Sequence, residues 1–211
     1  MPQALLDTLK PFFARIAKAK VAKIVRGVLE ALSKIEGTVE RQITLCQSVV
    51  EWTKQEKRTY LRQRVESRLA ALYLSKENYS QAITLINALL SEVKRLDDKL
   101  LLVEIHLLES KAHHALMNMP KAKAALTAAR TAANAIYVPP ASQGAIDMQS
   151  GTLHAEEKDF KTAYSYFFEA FEQFNSLDDA RAMGCLKYML LSKIMADSAE
   201  EVNGLINTKG T

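Results

Sequence analysis

Glycine and proline are scarce, 7 and 5 among 211 residues, about half their usual share. Cysteine occurs twice, at Cys46 and Cys185, and neither has a second cysteine or a histidine beside it at metal-ligand spacing. A zinc site is thereby left without its pattern, and both residues read as small buried hydrophobes. Long apolar runs are missing too. The longest, Leu100 to Leu108, is broken by Glu104 and His106 and is too short to span a bilayer. Residues Met1 to Phe13 lack the basic stretch, apolar run and small-residue cleavage site of a secretory signal, so a soluble intracellular chain is expected. No glycine-rich phosphate loop, nucleophile elbow or paired Glu/His metal signature occurs, so an enzyme has no residues to rest on and no cofactor is expected. Neither sign of charge dominates. The chain carries 28 basic and 24 acidic side chains, a net charge of +4, well short of the clustered basic surface of a dedicated nucleic-acid binder.

Alanine (29) and leucine (27) supply a quarter of the chain, and 48% of all residues are apolar. With so few breakers this composition points to an all-α protein. Val21, Ile24, Val25, Val28 and Leu32 fall on one helical stripe, with Lys20, Lys23 and Arg26 around the rest of the circumference. Similar patterns recur in about ten segments, separated near Pro11, Gly37, Asn78, Asp97-Asp98, Pro120, Pro139-Pro140, Asp159 and Asp178-Asp179. No strand alternation stands out.

A repeat emerges when Ala82, Ala122 and Ala163 are aligned. Twelve residues before each stands a small residue (Ala70, Ser110, Gly151), and nine before stands a ring that can pack and hydrogen-bond (Tyr73, His113, His154). Large apolar residues precede the alanines by three (Tyr79, Met119, Phe160) and follow them by four (Ile86, Leu126, Phe167). Seven after come Leu89, Ala129 and Ala170. The period is about 40 residues, and the small residue is where two helices of a hairpin approach closely. This resembles the tetratricopeptide pattern, with a longer period, no closing proline, and Glu66, His106 and Asp147 in place of its early tryptophan. The expected fold is therefore a helical-hairpin solenoid. The units run at about 58–97, 98–137 and 138–177, with partial units at 1–57 and 178–211, in one domain.

Candidate chemistry is sparse. His106, Glu109 and His113 share a helical face, yet a metal centre needs a further ligand and an outer shell, so His113 and His154 read first as packing residues. Glu156, Glu157 and Asp159 read as solvated turn residues and helix-end partners. From Lys10 to Arg26 there are six basic residues and no acid before Glu30, so Lys18, Lys20, Lys23 and Arg26 are the candidate docking face for an acidic partner. A second basic group, Lys54, Lys57, Arg58, Arg62, Arg64 and Arg68, is diluted by Glu51, Glu56 and Glu66 and reads as solvated surface. Tyr164, Tyr166, Phe167, Phe168, Phe171 and Phe174 recur at packing intervals and read as core.

Longer runs carry a second resemblance. EKRTYLRQ from Glu56 to Gln63, LESK from Leu108 to Lys111, TAANAIY from Thr131 to Tyr137 with Pro139-Pro140, and DMQSG from Asp147 to Gly151 follow one another in order. The run from Glu157 to Phe171 and LKYMLL from Leu186 to Leu191 continue it. Together they resemble the family of 26S proteasome non-ATPase regulatory subunit 11, lid subunits of the regulatory particle. The related signalosome subunit two shares the elements at Phe168–Phe171 and Leu186–Tyr188, whereas Asp147–Gly151 is similar to the proteasomal branch. The resemblance implies a right-handed helical solenoid, a non-catalytic scaffold in ubiquitin-dependent degradation, cytoplasmic and nuclear, without cofactor. It implies other lid subunits, the ATPase ring and the core particle as partners. The family continues into a PCI domain that assembles the lid, and Thr211 falls ahead of it, so the PCI domain is expected to be absent here. Apolar ends of such a stack would favour end-to-end self-association. The competing readings are a basic helical nucleic-acid binder, with strongly salt-dependent binding, and a metalloenzyme using His106 and His113.

Overall fold

The computed structural model describes residues 17–33, 35, 37–198 and 200, without the side chain of Lys18. Among them are nine α-helices and no strand: α1 Lys18–Ser33, α2 Val39–Gln55, α3 Thr59–Ser75, α4 Tyr79–Leu96, α5 Lys99–Ala115, α6 Met119–Asn134, α7 Pro140–Glu156, α8 Phe160–Asn175 and α9 Arg181–Met195. None of them is long and apolar enough to cross a membrane. The chain divides into two compact units, Met1–Glu92 and Val93–Thr211.

The links between helices follow one recipe. Lys57, Glu77, Asp97, Met117 and Lys158 all take positive φ, between 52° and 64°. The next residue turns into a new helix, and at four of these links its amide reaches back five residues: Arg58 N to Thr53 O at 2.9 Å, Asn78 N to Tyr73 O at 2.9 Å, Asn118 N to His113 O at 2.8 Å and Asp159 N to His154 O at 3.0 Å. Such bonds satisfy carbonyls left over at a helix end. Asp98, Asn118 and Asp159 then accept from the third amide of α5, α6 and α8. One left-handed residue and one cap reverse the chain in three residues, which is why a helix of 15 to 18 residues recurs about every twenty. The break expected near Pro120 lies between α5, which ends at Ala115, and α6, which begins at Met119. Pro120 itself sits in the first turn of α6, where a missing N–H costs nothing.

None of these left-handed residues is glycine, so each stores strain of roughly 1–2 kcal/mol. Met117, with φ of 57° and 74% of its surface exposed, has no packing role to set against that. Met117→Gly is expected to stabilise the protein by about 0.5 kcal/mol or more, after allowing for glycine's freer unfolded chain. A urea midpoint that stays put or falls would refute the strain argument.

In the first unit Val21, Val25, Leu29 and Leu32 of α1 meet Leu45, Cys46 and Val49 of α2 and Leu61, Val65 and Leu69 of α3. Arg68 Nη2 donates to Leu29 O at 3.1 Å, and Gln47 Nε2 donates to the Tyr73 hydroxyl at 3.0 Å. Lys76 pairs with Glu40.

The second unit shows what the repeat does. Ala122, Ala129, Ala163 and Ala170 are wholly buried. Ser110 Oγ donates to Ala122 O at 2.8 Å, so the small residue of one helix touches the anchor alanine of its partner. At the equivalent place Gly151 has no side chain, and the Phe167 ring fills that space: a Cβ there would lie 2.7 Å from Phe167 Cε1. Phe167 also stacks on Tyr188 of α9, centroids 5.1 Å apart.

Candidate docking face

Lys20, Lys23 and Arg26 project from α1 into solvent, because Val21, Val25 and Leu29 turn the opposite side of that helix inward. Of the four residues singled out in the sequence, Lys18 opens the helix and its side chain lies outside the described residues. Arg26 Nε reaches Ala22 O at 3.4 Å, a weak tether that leaves the guanidinium facing outward.

Beside this face lies a cleft of about 410 Å³. Ala19, Ala22, Leu61 and Tyr60 give it apolar lining, and Arg26, Lys57 and Arg58 line it with positive charge. Tyr60 keeps 55% of its surface exposed although Arg64 stacks over its ring at 5.5 Å. Arg58 is buried and stacks over Trp52 at 4.9 Å. It occupies the N-cap of α3 without any side-chain capping bond, since a guanidinium has no acceptor.

The second basic group differs from its reading as solvated surface. Only Lys54 and Lys57 are exposed. Arg62 carries ion pairs to Glu92 at 2.5 Å and to Glu66 at 3.6 Å. Burial raises the Glu66 carboxyl above its ordinary 4.5, against the pull of Arg62. The sequence signal was there: Arg62 and Glu66 are four apart, and Gln63, Val65 and Ser67 interrupt any continuous charged face.

The histidines engage neighbours. His106 Nδ1 lies 2.9 Å from Glu109 Oε2, His154 stacks on Tyr166 with centroids 5.4 Å apart, and His114 faces Glu156 at 3.4 Å. Among the described residues no group of three His, Cys, Asp or Glu side chains could hold a metal ion. Arg130 spans a small groove of α6 and α7, donating to Ser150 Oγ at 2.8 Å and lying 4.6 Å over Tyr166. Burial raises the Asp147 carboxyl, which Gln143 partly offsets by donating to both of its oxygens. Of the α8 aromatics, Phe167, Phe171 and Phe174 are core, but Phe168 lies outward, 38% exposed and stacked on Tyr164.

These features define an all-α protein of helical hairpins, with an exposed basic face on α1 and no catalytic constellation among the described residues. Residues 3–76 match the family described as the 26S proteasome regulatory subunit RPN6 N-terminal domain. The chain is 66% identical over 205 residues to the 26S proteasome non-ATPase regulatory subunit 11 homolog of Arabidopsis thaliana, covering 97% of this chain and 49% of that protein. It is 53% identical to the probable 26S proteasome regulatory subunit rpn6 of Schizosaccharomyces pombe (97% and 49% covered) and 44% to RPN6 of Saccharomyces cerevisiae (95% and 47%). The chain thus spans about half the length of these relatives. Two solved structures share the fold: NprR in complex with its peptide NprX (TM-score 0.68, 15% identity, 99% of this chain and 61% of that one) and BtubC of P. vanneervenii (TM-score 0.64, 21% identity, 81% and 72%). Tetratricopeptide-like helical hairpins are therefore the fold class.

Proposed function

We propose that the chain is a non-catalytic scaffold element of the 26S proteasome regulatory particle lid, supporting association of lid, ATPase ring and core particle in ubiquitin-dependent degradation, in cytoplasm and nucleus. The observation that carries this reading is the 66% identity to a 26S proteasome regulatory subunit along 97% of the chain. Physical reasoning supports it: stacked hairpins offer an extended surface for many modest contacts, and the mechanism is geometry rather than bond chemistry. One solenoid domain over 1–211 belongs to the same proposal, with docking through Lys18, Lys20, Lys23 and Arg26. So does self-association through the exposed apolar side of α9, where Met183, Leu191, Ile194 and Met195 stand open.

The test is co-purification of a tagged chain from its own cells, read by mass spectrometry beside a Lys20→Glu, Lys23→Glu, Arg26→Glu variant. Other lid, ATPase and core-particle subunits are expected with the parent chain, and a loss of about tenfold or more with the variant at unchanged helicity. A second, differently tagged copy in the eluate reports self-association. Equal recovery of partners with the variant would sink the basic docking face, and no proteasome protein in either eluate would sink the scaffold reading.

A further inference from the structure

The cleft beside α1 combines three properties that together specify a ligand class. Part of its lining is apolar, from Ala19, Ala22, Leu61 and the half-exposed ring of Tyr60. The rest is cationic: Arg26 and Lys57 are exposed, and Arg58 is buried. Lys23, four residues after Ala19 and three before Arg26 on α1, is exposed as well. The acids nearby are few. Glu56 stands 3.8 Å from Arg58 and Glu30 lies a turn beyond Arg26, so cations outnumber carboxylates at the mouth.

The start of α3 adds to this field. Asp98, Asn118 and Asp159 bring a side-chain oxygen to the first turn of their own helices, whereas the N-cap of α3 is Arg58, which makes no such bond, and Thr59 and Tyr60 of its first turn lie in the cleft lining. The positive end of that helix therefore opens into the cleft without an internal anion. A volume of about 410 Å³ suits an apolar side chain and falls within the range roughly typical of ligand clefts.

We propose that this cleft receives a short acidic peptide segment of a partner protein, with one apolar side chain seated on Ala19, Ala22 and Leu61 against Tyr60, and flanking carboxylates held by Arg26 and Lys57. The inference rests on the docking-face reading above and adds to it the site and the chemistry of what docks. The apolar lining disfavours a bare polyanion, and the cationic lining disfavours a neutral helix, so the mixed composition is what both surfaces accept together. The single tyrosine offers one stacking ring, too little for a run of bases.

The test uses the full chain and a labelled peptide that carries two leucines among glutamates. Fluorescence anisotropy is expected to show binding that weakens as salt rises, with amide shifts at Thr59, Tyr60 and Leu61 in a proton–nitrogen correlation spectrum. Replacing the glutamates by lysine, or the leucines by serine, is expected to abolish it. Arg26→Glu with Lys57→Glu is expected to weaken binding by about tenfold or more. Lys187→Glu, an exposed cation of the other unit, leaves it unchanged, and melting curves establish that both variants fold. Equal binding of the lysine peptide would overturn the proposal. So would an unchanged affinity in a folded Arg26→Glu, Lys57→Glu protein, or full displacement by a single-stranded oligonucleotide. If the tagged chain recovers proteasome subunits while the peptide fails to bind, the cleft falls and the scaffold reading stands. Peptide binding with no proteasome protein recovered gives the reverse.

Discussion

Gly151→Val is expected to destabilise the protein by about 3 kcal/mol, and even Gly151→Ala by about 1–2 kcal/mol, although alanine is the better helix former by about 1 kcal/mol. The reason is local. Gly151 lies inside α7, and a Cβ there would stand 2.7, 2.8 and 3.0 Å from three atoms of the Phe167 ring. That ring cannot swing aside cheaply, being 1% exposed and stacked on Tyr188. Gly184 in α9 supplies the control, because a Cβ there would meet nothing within 4 Å. Gly184→Ala should therefore add about 1 kcal/mol. Shrinking the ring with Phe167→Leu should recover part of the Gly151→Ala loss, since the two positions share one space. Urea denaturation of the parent and these variants decides it, and a Gly151→Ala chain as stable as its parent would show that the helix pair spreads without resistance.

Arg62→Met should lower stability by about 2 kcal/mol at neutral pH. The guanidinium serves two carboxylates: Glu92 at 2.5 Å and Glu66 at 3.6 Å. Methionine keeps the apolar stem and removes the charge, leaving Glu66, 6% exposed, facing Glu92. The figure sits below the range for a fully buried pair because the Glu92 side chain keeps 42% of its surface in water. The pH dependence gives the signature. Burial already holds the Glu66 carboxyl above its ordinary 4.5, and without Arg62 it rises further. The folded variant then binds a proton that the unfolded chain releases, so its stability increases as pH falls from neutral toward 4.5. The gap between parent and variant should narrow over that window. A gap that is constant or widens on acidification would place the loss in packing rather than in charge.

Both effects were partly legible. Glycine at the small-residue position of the third repeat is visible in sequence, but the same position holds Ala70 and Ser110 in the other two. Only the tertiary structure shows that the third partner is a phenylalanine ring pressed onto the bare backbone, while the second is a hydrogen bond from Ser110 to a carbonyl. The arginines from Arg58 to Arg68 misled for a related reason. Composition counts charges without seeing that Arg62 points across to α4 and Arg68 across to α1, since those partners are some thirty to forty residues away. Phe168 was misplaced because one aromatic in a dense aromatic helix must face outward: seven rings exceed the inner arc of α8.

What the sequence determined by itself was the helical class, the period of the hairpins and the alanines at their crossings. Those follow from breaker scarcity and from apolar spacing, which are local properties repeated many times. Chain reversal through left-handed Lys57, Glu77, Asp97 and Met117 was decided only by the folded protein. So was the cleft that joins Ala19 and Arg26 of α1 to Tyr60 and Leu61 of α3. Each depends on residues distant in sequence or on a conformation with no residue type of its own, and the energy that selects it comes from packing two helices against each other.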